Sequence, residues 1–398
     1  MKPLLRSVGV VARDLAAATL RRVPGSSRQF GPPRQHVPDT REWQRAHPQA
    51  RLHALSDARP VTRPDARHAD EPIARRFAAM RHGTIKPRFV VELPRARFWG
   101  RGYGYVIDAD DALHCELSPC FENFAPPENN PGHDALRQPL LPRLRQRSGT
   151  LAVLSTLFCE NFHHWLLDAV PKLGLLRDAG WALDRIDGFV LPASAQRPWH
   201  EQTLARLGLA RDRLVFADAH THLAADSLLV PSYAEPGCEP EKFDYTPEGL
   251  AFVRELFSEA RTTSGTWPEK IVISRELAAA RRWTGGETGH THLQRAGFVK
   301  VLLEQHTLAE QAALFAHARQ IVMPTGGGLA NLAFCAPGTQ VVELFPPTYL
   351  PTFSLVLSGA LALDYTALVG PAKSGAAEGD DDPHAIAVPV DRILASFR

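Results

Sequence analysis

From residue 149 onward, short apolar runs alternate with amphipathic stretches. The runs Leu151-Ala-Val-Leu154, Phe189-Val-Leu191, Leu214-Val-Phe216 and Ser227-Leu-Leu-Val230 are too short and too evenly apolar for surface helices. They read as buried strands, with helices predicted from Phe162 and near 199–207 between them. A second series comes after them: Ile271-Val-Ile273, a helix near 287–296, Val299–Leu303, the helix Leu308–Ala318, Ile321-Val-Met323, a short helix and Val341–Phe345. Such alternation predicts parallel sheets with helices on both faces, an α/β fold in two Rossmann-like halves. The halves span 149–231 and 269–370, joined by a Pro/Gly/Glu-rich linker over 232–268 with one helix near 247–262. Ahead of them, 86–148 carries the short strands Phe89–Leu93, Tyr103–Ile107 and Leu113–Leu117. Residues 1–85 form a basic lead-in, irregular over 24–72, and 371–398 a tail in which Asp380-Asp-Asp382 is expected to be solvated. No internal repeat is visible.

Composition narrows the class. With 44% hydrophobic and 22% charged residues, the 398-residue chain is an ordinary globular protein. Its net charge of +2 gives no sign of a nucleic-acid partner. Residues 1–80 hold 15 Lys/Arg against 7 Asp/Glu, a balance of +8, so the remainder carries −6. Cys115, Cys120, Cys159, Cys238 and Cys335 show no CxxC or zinc spacing, and read as free thiols of a reducing compartment. That points to the cytoplasm. Arg6 and Arg13 interrupt the apolar start, which argues against a cleavable signal peptide. The first 23 residues read either as a basic amphipathic helix, giving peripheral association with the inner membrane face, or as a helix packed on the body.

Two segments carry candidate chemistry. The first is Met323-Pro-Thr-Gly-Gly-Gly-Leu-Ala-Asn331, between two strand-like runs. Glycines at a helix mouth let backbone approach a ligand, and the free N–H groups of the first turn favour an anion. A phosphate or diphosphate suits that place; a plain strand-to-helix turn is the structural alternative. The second is Asn161-Phe-His-His-Trp-Leu-Leu-Asp-Ala-Val-Pro-Lys-Leu173. At about 100° per residue, Asn161, His164, Asp168 and Lys172 share one stripe, with Phe162, Leu166, Ala169, Leu173 and Leu176 beside it and Trp165 between. His164 and Asp168, four apart, make a base and its orienting partner. The alternative is a capped helix with a solvated polar face.

Together the segments carry a resemblance. Asn161-x-x-His164-Trp165-x-x-Asp168-x-x-Pro171-Lys172-Leu173 resembles the Asn-x-x-His-Trp…Asp/Glu…Leu-Pro-Arg-Leu motif of glycosyltransferase family 61. Thr325-Gly-Gly-Gly-Leu-Ala-Asn331…Pro337-Gly-Thr…Val342-Glu343 is similar to its His-Gly-Ala-Gly-Leu-Thr-Asn…Pro-Gly-Thr…Val-Ile-Glu. Ile271–Arg275, Arg281-Arg282, Gly297-Phe298 and Glu310-Gln311…Phe315 match the intervening pattern in order, and the likeness covers roughly 88–370. Thr325 stands where the family has histidine, and Gly327 where it has alanine. Gly286, with Glu287 beside it, stands near the place of an asparagine.

The resemblance implies two facing halves of the GT-B kind. It also implies a bacterial, inverting, metal-independent transferase of surface-polysaccharide synthesis. This enzyme would move a hexosyl or pentosyl group from a nucleotide-sugar donor to a glycan or lipid-linked acceptor, with no other cofactor. His164 or Asp168 would be the base. Thr325, Gly326, Gly327, Gly328, Asn331, Glu343, Arg275, Arg281 and Arg282 would hold the donor. Asn161, Trp165, Lys172, Glu287 and Gln311 would support them. Asn331 and Gln311 can equally be internal to the fold, and each arginine can equally be a surface ion pair. A non-catalytic binding scaffold is the alternative function. A Rossmann oxidoreductase would need GxGxxG, and Gly326-Gly-Gly328 lacks the third glycine in register. Asp108-Ala-Asp110 is formally a DxD but reads as a hairpin turn. His220/His222 and His290/His292 have ligand-like spacing on a strand and read as loop or surface residues.

Overall fold

The computed structural model describes residues 2–20, 22–23, 31–118, 133–232, 245–262, 266–371, 382 and 384–398. The chain forms two compact units, Met1–Arg59 with Lys86–Pro240, and Pro60–Ile85 with Glu241–Arg398.

The first unit is built on a ten-stranded sheet. Its parallel part runs His222–Pro231, Arg145–Val153, Gly188–Pro192, Leu214–Ala217. The apolar runs fill it, with Leu151, Val190, Leu228 and Val230 buried in one cluster. Two crossovers step outward from Arg145–Val153 and the third returns to its other side. Chain direction around the sheet therefore reverses between Arg145–Val153 and His222–Pro231. On the far side of His222–Pro231 the sheet turns antiparallel, through Arg88–Pro94 and Arg97–Trp99. The strands over 86–148 are thus part of the same sheet, where a separate β region was expected.

The lead-in is also more regular than its composition suggests. Gln35–Val37 pairs Ala112–His114, and Arg51–Ser56 pairs Arg88–Pro94. These are short peripheral strands with polar, partly exposed side chains, so no apolar run betrays them. The N-terminal helix Lys2–Leu20 is tied to the unit by Asp14, which accepts bonds of 3.1 and 2.8 Å from Arg137. Val11 and Leu15, one turn apart on it, are exposed. Among the described residues no helix is long and apolar enough to cross a membrane.

The second unit holds a six-stranded, wholly parallel sheet: Val299–Val301, Lys270–Ile273, Gln320–Pro324, Gln340–Phe345, Asp364–Val369, His68–Ala69. Its reversal lies between Lys270–Ile273 and Gln320–Pro324. The expected linker supplies the helices Pro247–Leu256 and Ser258–Thr262, and Arg254 donates to the Ala333 carbonyl at 2.6 Å. The expected tail packs too, with Ile393 buried and Trp283 Nε1 donating to the Val388 carbonyl at 2.8 Å. Asp382 is buried and accepts from the Arg282 amide at 3.0 Å, so it is not solvated; Asp380 and Asp381 lie outside the described residues.

His68–Ala69 is the last strand of this sheet, and Asp70 locks it in place. Its carboxylate accepts from Val369 N at 2.6 Å and from Arg392 Nη2 at 2.7 and 2.8 Å. Burial opposes its ionisation, but the bonds from Arg392 and Val369 outweigh that and hold its pKa below the usual 3.8. Asp70→Ala is expected to destabilise the second unit by about 2 kcal/mol in urea unfolding, the order of a lost charge-assisted hydrogen bond. Because the folded pKa is depressed, the wild-type advantage is present above the unfolded value and is lost as pH falls through the folded one. The two unfolding curves should therefore converge in acid.

Candidate functional site

The helix after Arg145–Val153 starts at that strand's carboxyl end, at the reversal point of the first sheet. Asn161 caps it, its side chain accepting from His163 N at 3.0 Å. After one α-turn, Phe162–His164, the backbone widens to a π-turn over Trp165–Ala169 before the α-helix resumes at Val170–Asp178. A π-turn inside an α-helix is rare and concentrates at functional sites. This one brings His164 Nδ1 to 2.7 Å from Asp168 Oδ2. An ionised Asp168 can only accept here, and would then hold the proton on Nδ1 and leave Nε2 as the basic nitrogen.

The solvated polar face of the alternative reading does not form. Asp168 and Lys172 are buried, and Lys172 Nζ donates to the Ser155 carbonyl at 2.5 Å. Trp165 is wholly buried, donates to Thr203 Oγ1 at 3.2 Å and meets the His200 ring edge-on at 4.5 Å. His200 in turn bonds the Cys159 carbonyl at 2.8 Å and accepts from Arg197 N at 2.9 Å. Each support therefore ties the dyad helix back to its own unit. The neighbouring His163 is no rival base, because burial and then the nearby His164 push its pKa down to about 3.

In the second unit, the glycine loop leaves the carboxyl end of Gln320–Pro324, at that sheet's reversal point. It opens a 3₁₀-helix, Gly327–Phe334, where the sequence predicted a short α-helix. Arg275 follows the adjacent strand and lies against the loop. A Cβ on Gly326 would sit 2.3 Å from Arg275 Nη1. Gly326 is extended (φ 161°), so its glycine matters for space rather than backbone freedom: a Cβ there would push the Arg275 guanidinium aside. Arg275 also donates to the Ala280 carbonyl at 3.1 Å. Burial, then the charge of Arg281, pushes its pKa down to about 10, so it stays a cation at neutral pH. A half-buried guanidinium with a second one near enough to oppose its charge suits an anion.

The other expected donor contacts divide. Arg281 adopts φ 61° and places its guanidinium 5.0 Å from the Tyr349 ring centroid. Arg282 is turned to Asp382, 3.9 Å away. Asn331 is buried and donates to Gln311 Oε1 at 2.8 Å and to the Gly328 carbonyl at 3.2 Å. Gln311 donates to the carbonyls of Leu303 and His306 at 2.9 and 3.1 Å. This pair braces the loop from behind. Glu287 is exposed and pairs with Lys300 at 2.8 Å. Thr325 and Glu343 are wholly buried under the loop, and Tyr365 donates to Glu343 Oε2 at 2.5 Å. That position replaces the donor contact expected of Glu343, since a side chain with no exposed surface reaches no ligand.

Asp108 is a turn residue, its Oδ1 accepting from Asp110 N at 2.9 Å and Ala112 N at 2.8 Å. His222 is buried on a strand, bonded to the Pro142 carbonyl at 2.8 Å, and His290 is buried on the helix Gly286–Arg295. Neither is the surface residue expected. Cys115, Cys159 and Cys335 are buried thiols outside any disulfide; Cys120 and Cys238 lie outside the described residues. Sequence reasoning missed Ser155, Thr203 and His200 behind the dyad, and Tyr365 and Ser354 around Glu343. They come from separate elements and form no local motif.

Burial pushes the Glu343 pKa up to about 7, only partly eased by the Ser354, Tyr365 and Thr325 hydroxyls and by Arg281. A raised carboxyl means that the folded state binds the proton more tightly than the unfolded one. Stability from this group is complete below the unfolded value near 4.5 and declines as pH rises toward 7. Glu343→Gln should flatten that decline, of up to about 3 kcal/mol, in unfolding curves measured from pH 4.5 to 8. A variant as pH-dependent as the wild type would show that Glu343 is charged throughout.

Residues 162–342 match the family described as Glycosyltransferase 61. The span begins at the first residue of the dyad helix and runs through the glycine loop, covering a little under half of the chain. No curated protein matches the chain. The segment that carries both sites thus matches glycosyltransferase family 61, and the match supports glycosyl transfer as the chemistry of this chain.

Proposed function

We propose that the chain transfers a sugar from a nucleotide-sugar donor to a glycan acceptor with inversion at the anomeric carbon, in a GT-B-like arrangement, and that it serves bacterial surface-polysaccharide synthesis. The observation that carries the donor half is the Arg275 guanidinium packed on Gly326 at the carboxyl edge of a parallel sheet. Open α/β sheets bind nucleotides at that place. Loop amides at Gly327 and Gly328, with Arg275 and Arg281, would receive the diphosphate. Arginine suits it because its planar fork donates two parallel bonds.

The acceptor half rests on the dyad. His164 Nε2 takes the proton of an acceptor hydroxyl as that oxygen bonds to the anomeric carbon. The bond from that carbon to the diphosphate oxygen breaks, and the departing diphosphate keeps the electron pair. Asp168 stabilises the imidazolium through the 2.7 Å bond to Nδ1. The guanidinium groups take up the charge on the leaving group, so a protein cation serves where other transferases use a metal. One observation favours a non-catalytic sugar-nucleotide scaffold as second reading: Thr325, standing for the family's histidine, is wholly buried and uncharged.

The two halves are separable by experiment. His164→Ala and Asp168→Asn should lower transfer about 10²–10⁴-fold while titrations with UDP, GDP and CDP remain as in the wild type. Arg275→Ala should weaken binding of the preferred diphosphate roughly 10- to 100-fold, the worth of a hydrogen bond to a charged group. Gly326→Ala should do the same by displacing Arg275, and the double variant should be little worse than either. Additive losses would mean that Gly326 and Arg275 act independently. Unaltered turnover in both dyad variants, with donor binding intact, would leave the scaffold reading.

A further inference from the structure

Beside the dyad, two aromatic side chains from distant parts of the first unit meet in an unusual way. Phe158, in the loop between Arg145–Val153 and the dyad helix, holds φ 53°. A residue with a Cβ in that region is strained by on the order of 1–3 kcal/mol and persists only where its surroundings enforce it. Its ring centroid lies 5.4 Å from that of His164, tilted by 43°, and 5.2 Å from that of Tyr103, at 63°. Tyr103 sits in the turn that joins Arg97–Trp99 to Tyr105–Ile107. Gly102 (φ 61°) and Gly104 (φ 95°) set that turn, and a Cβ on Gly104 would overlap the Phe98 ring at 2.3 Å. Both aromatic residues are half-buried, whereas the helix behind them is closed from Trp165 to Leu176.

A ring packed only for stability would be buried on a relaxed backbone; Phe158 is half-buried on a left-handed one. Glu160, also half-buried, completes the rim. Burial, and then the Glu160 carboxylate, pushes the Tyr103 phenol up to about 12, and the Phe158 backbone bonds its hydroxyl. Tyr103 is therefore a neutral hydrogen-bonding group at all physiological pH. The rim offers two aromatic surfaces, a phenol and a carboxylate next to a base.

We propose that Phe158 and Tyr103 form a sugar-stacking subsite for the acceptor. A pyranose would lay its C–H face on the aromatic rings, whose faces are electron-rich. Glu160 would accept from ring hydroxyls, and one hydroxyl would be turned toward His164. The ligand class is a neutral pyranose at the end of a glycan. Phe158 and Tyr103 are positioning residues, and their assignment to the acceptor rests on the transferase reading above.

The test is binding of the full chain to a broad glycan array, without donor, followed by titration of the best glycan. Phe158→Ala should reduce glycan affinity at least 10-fold and leave UDP, GDP and CDP titrations unchanged. Phe158→Tyr should retain glycan binding. Phe158→Gly separates function from packing: it relieves the φ strain, so thermal stability should hold or rise while glycan binding is lost. If Phe158→Gly lowers stability and keeps glycan affinity, the ring is a packing residue and the proposal falls. It falls equally if the wild type binds no glycan, or if Phe158→Ala binds as the wild type does. Glycan binding that depends on Phe158 in a protein without transferase turnover would keep the subsite and refute only the transferase reading.

Discussion

A parallel sheet covered by helices on both faces offers a ligand little more than its carboxyl edge, and that edge opens only where the chain reverses its direction of winding. Each unit has one such reversal. In the first it falls between Arg145–Val153 and His222–Pro231, and in the second between Lys270–Ile273 and Gln320–Pro324. The dyad helix leaves the first edge; Arg275 and the glycine loop leave the second from adjacent strands. Elsewhere the strands are sealed by apolar side chains, as Leu151, Val190, Val272 and Val322 show. The candidate residues of each unit stand where topology leaves backbone uncovered.

The glycine loop illustrates why residue type alone misleads. Glycine before a helix suggests room for a phosphate, and Gly327 and Gly328 are half-exposed as that requires. Gly326 has a different occupant, since the space beside it is filled by a guanidinium from the same unit. The loop thus acquires its positive charge by leaving out a side chain. Behind it, the Asn331–Gln311 bond of 2.8 Å fixes the 3₁₀-helix to the preceding helix, Leu308–His317. Polar residues of the motif divide between those that line the edge and those that hold it rigid. Spacing alone does not separate the two groups.

The alternating apolar runs made the parallel part of the first sheet and the whole of the second legible, because a strand buried on both faces must be apolar throughout. The peripheral strands Gln35–Val37 and Arg51–Ser56 were hidden because half-exposed strands need no such run. His68–Ala69 was hidden for a further reason, as it completes a sheet whose other strands begin some 200 residues later. The His164–Asp168 pair was readable from i, i+4 spacing, but the π-turn that joins them was not. Asp168 lies within that turn and Lys172 just beyond it, and both are buried, where the alternative reading had a solvated face. The left-handed φ of Phe158 had no signature at all, since sequence marks that conformation only when glycine or asparagine adopts it.

Buried ionisable groups in the two units are handled in opposite ways, and the difference argues for their roles. Glu343 is sealed among hydroxyls, which ease its burial without supplying a full countercharge, so its carboxyl rises to about 7. That suits a residue holding a loop from beneath, because a neutral carboxyl is cheaper to bury than a charged one. Asp168 is almost as deeply buried but bonds directly to an imidazole that remains partly open to solvent. In the transfer reaction proposed above, its carboxylate would stabilise a proton arriving at His164, a use that Glu343 lacks. A buried acid coupled to an accessible base is costly for a scaffold and productive for proton transfer. The asymmetry fits the catalytic role proposed for the first-unit edge, with Glu343 as a support beneath the second.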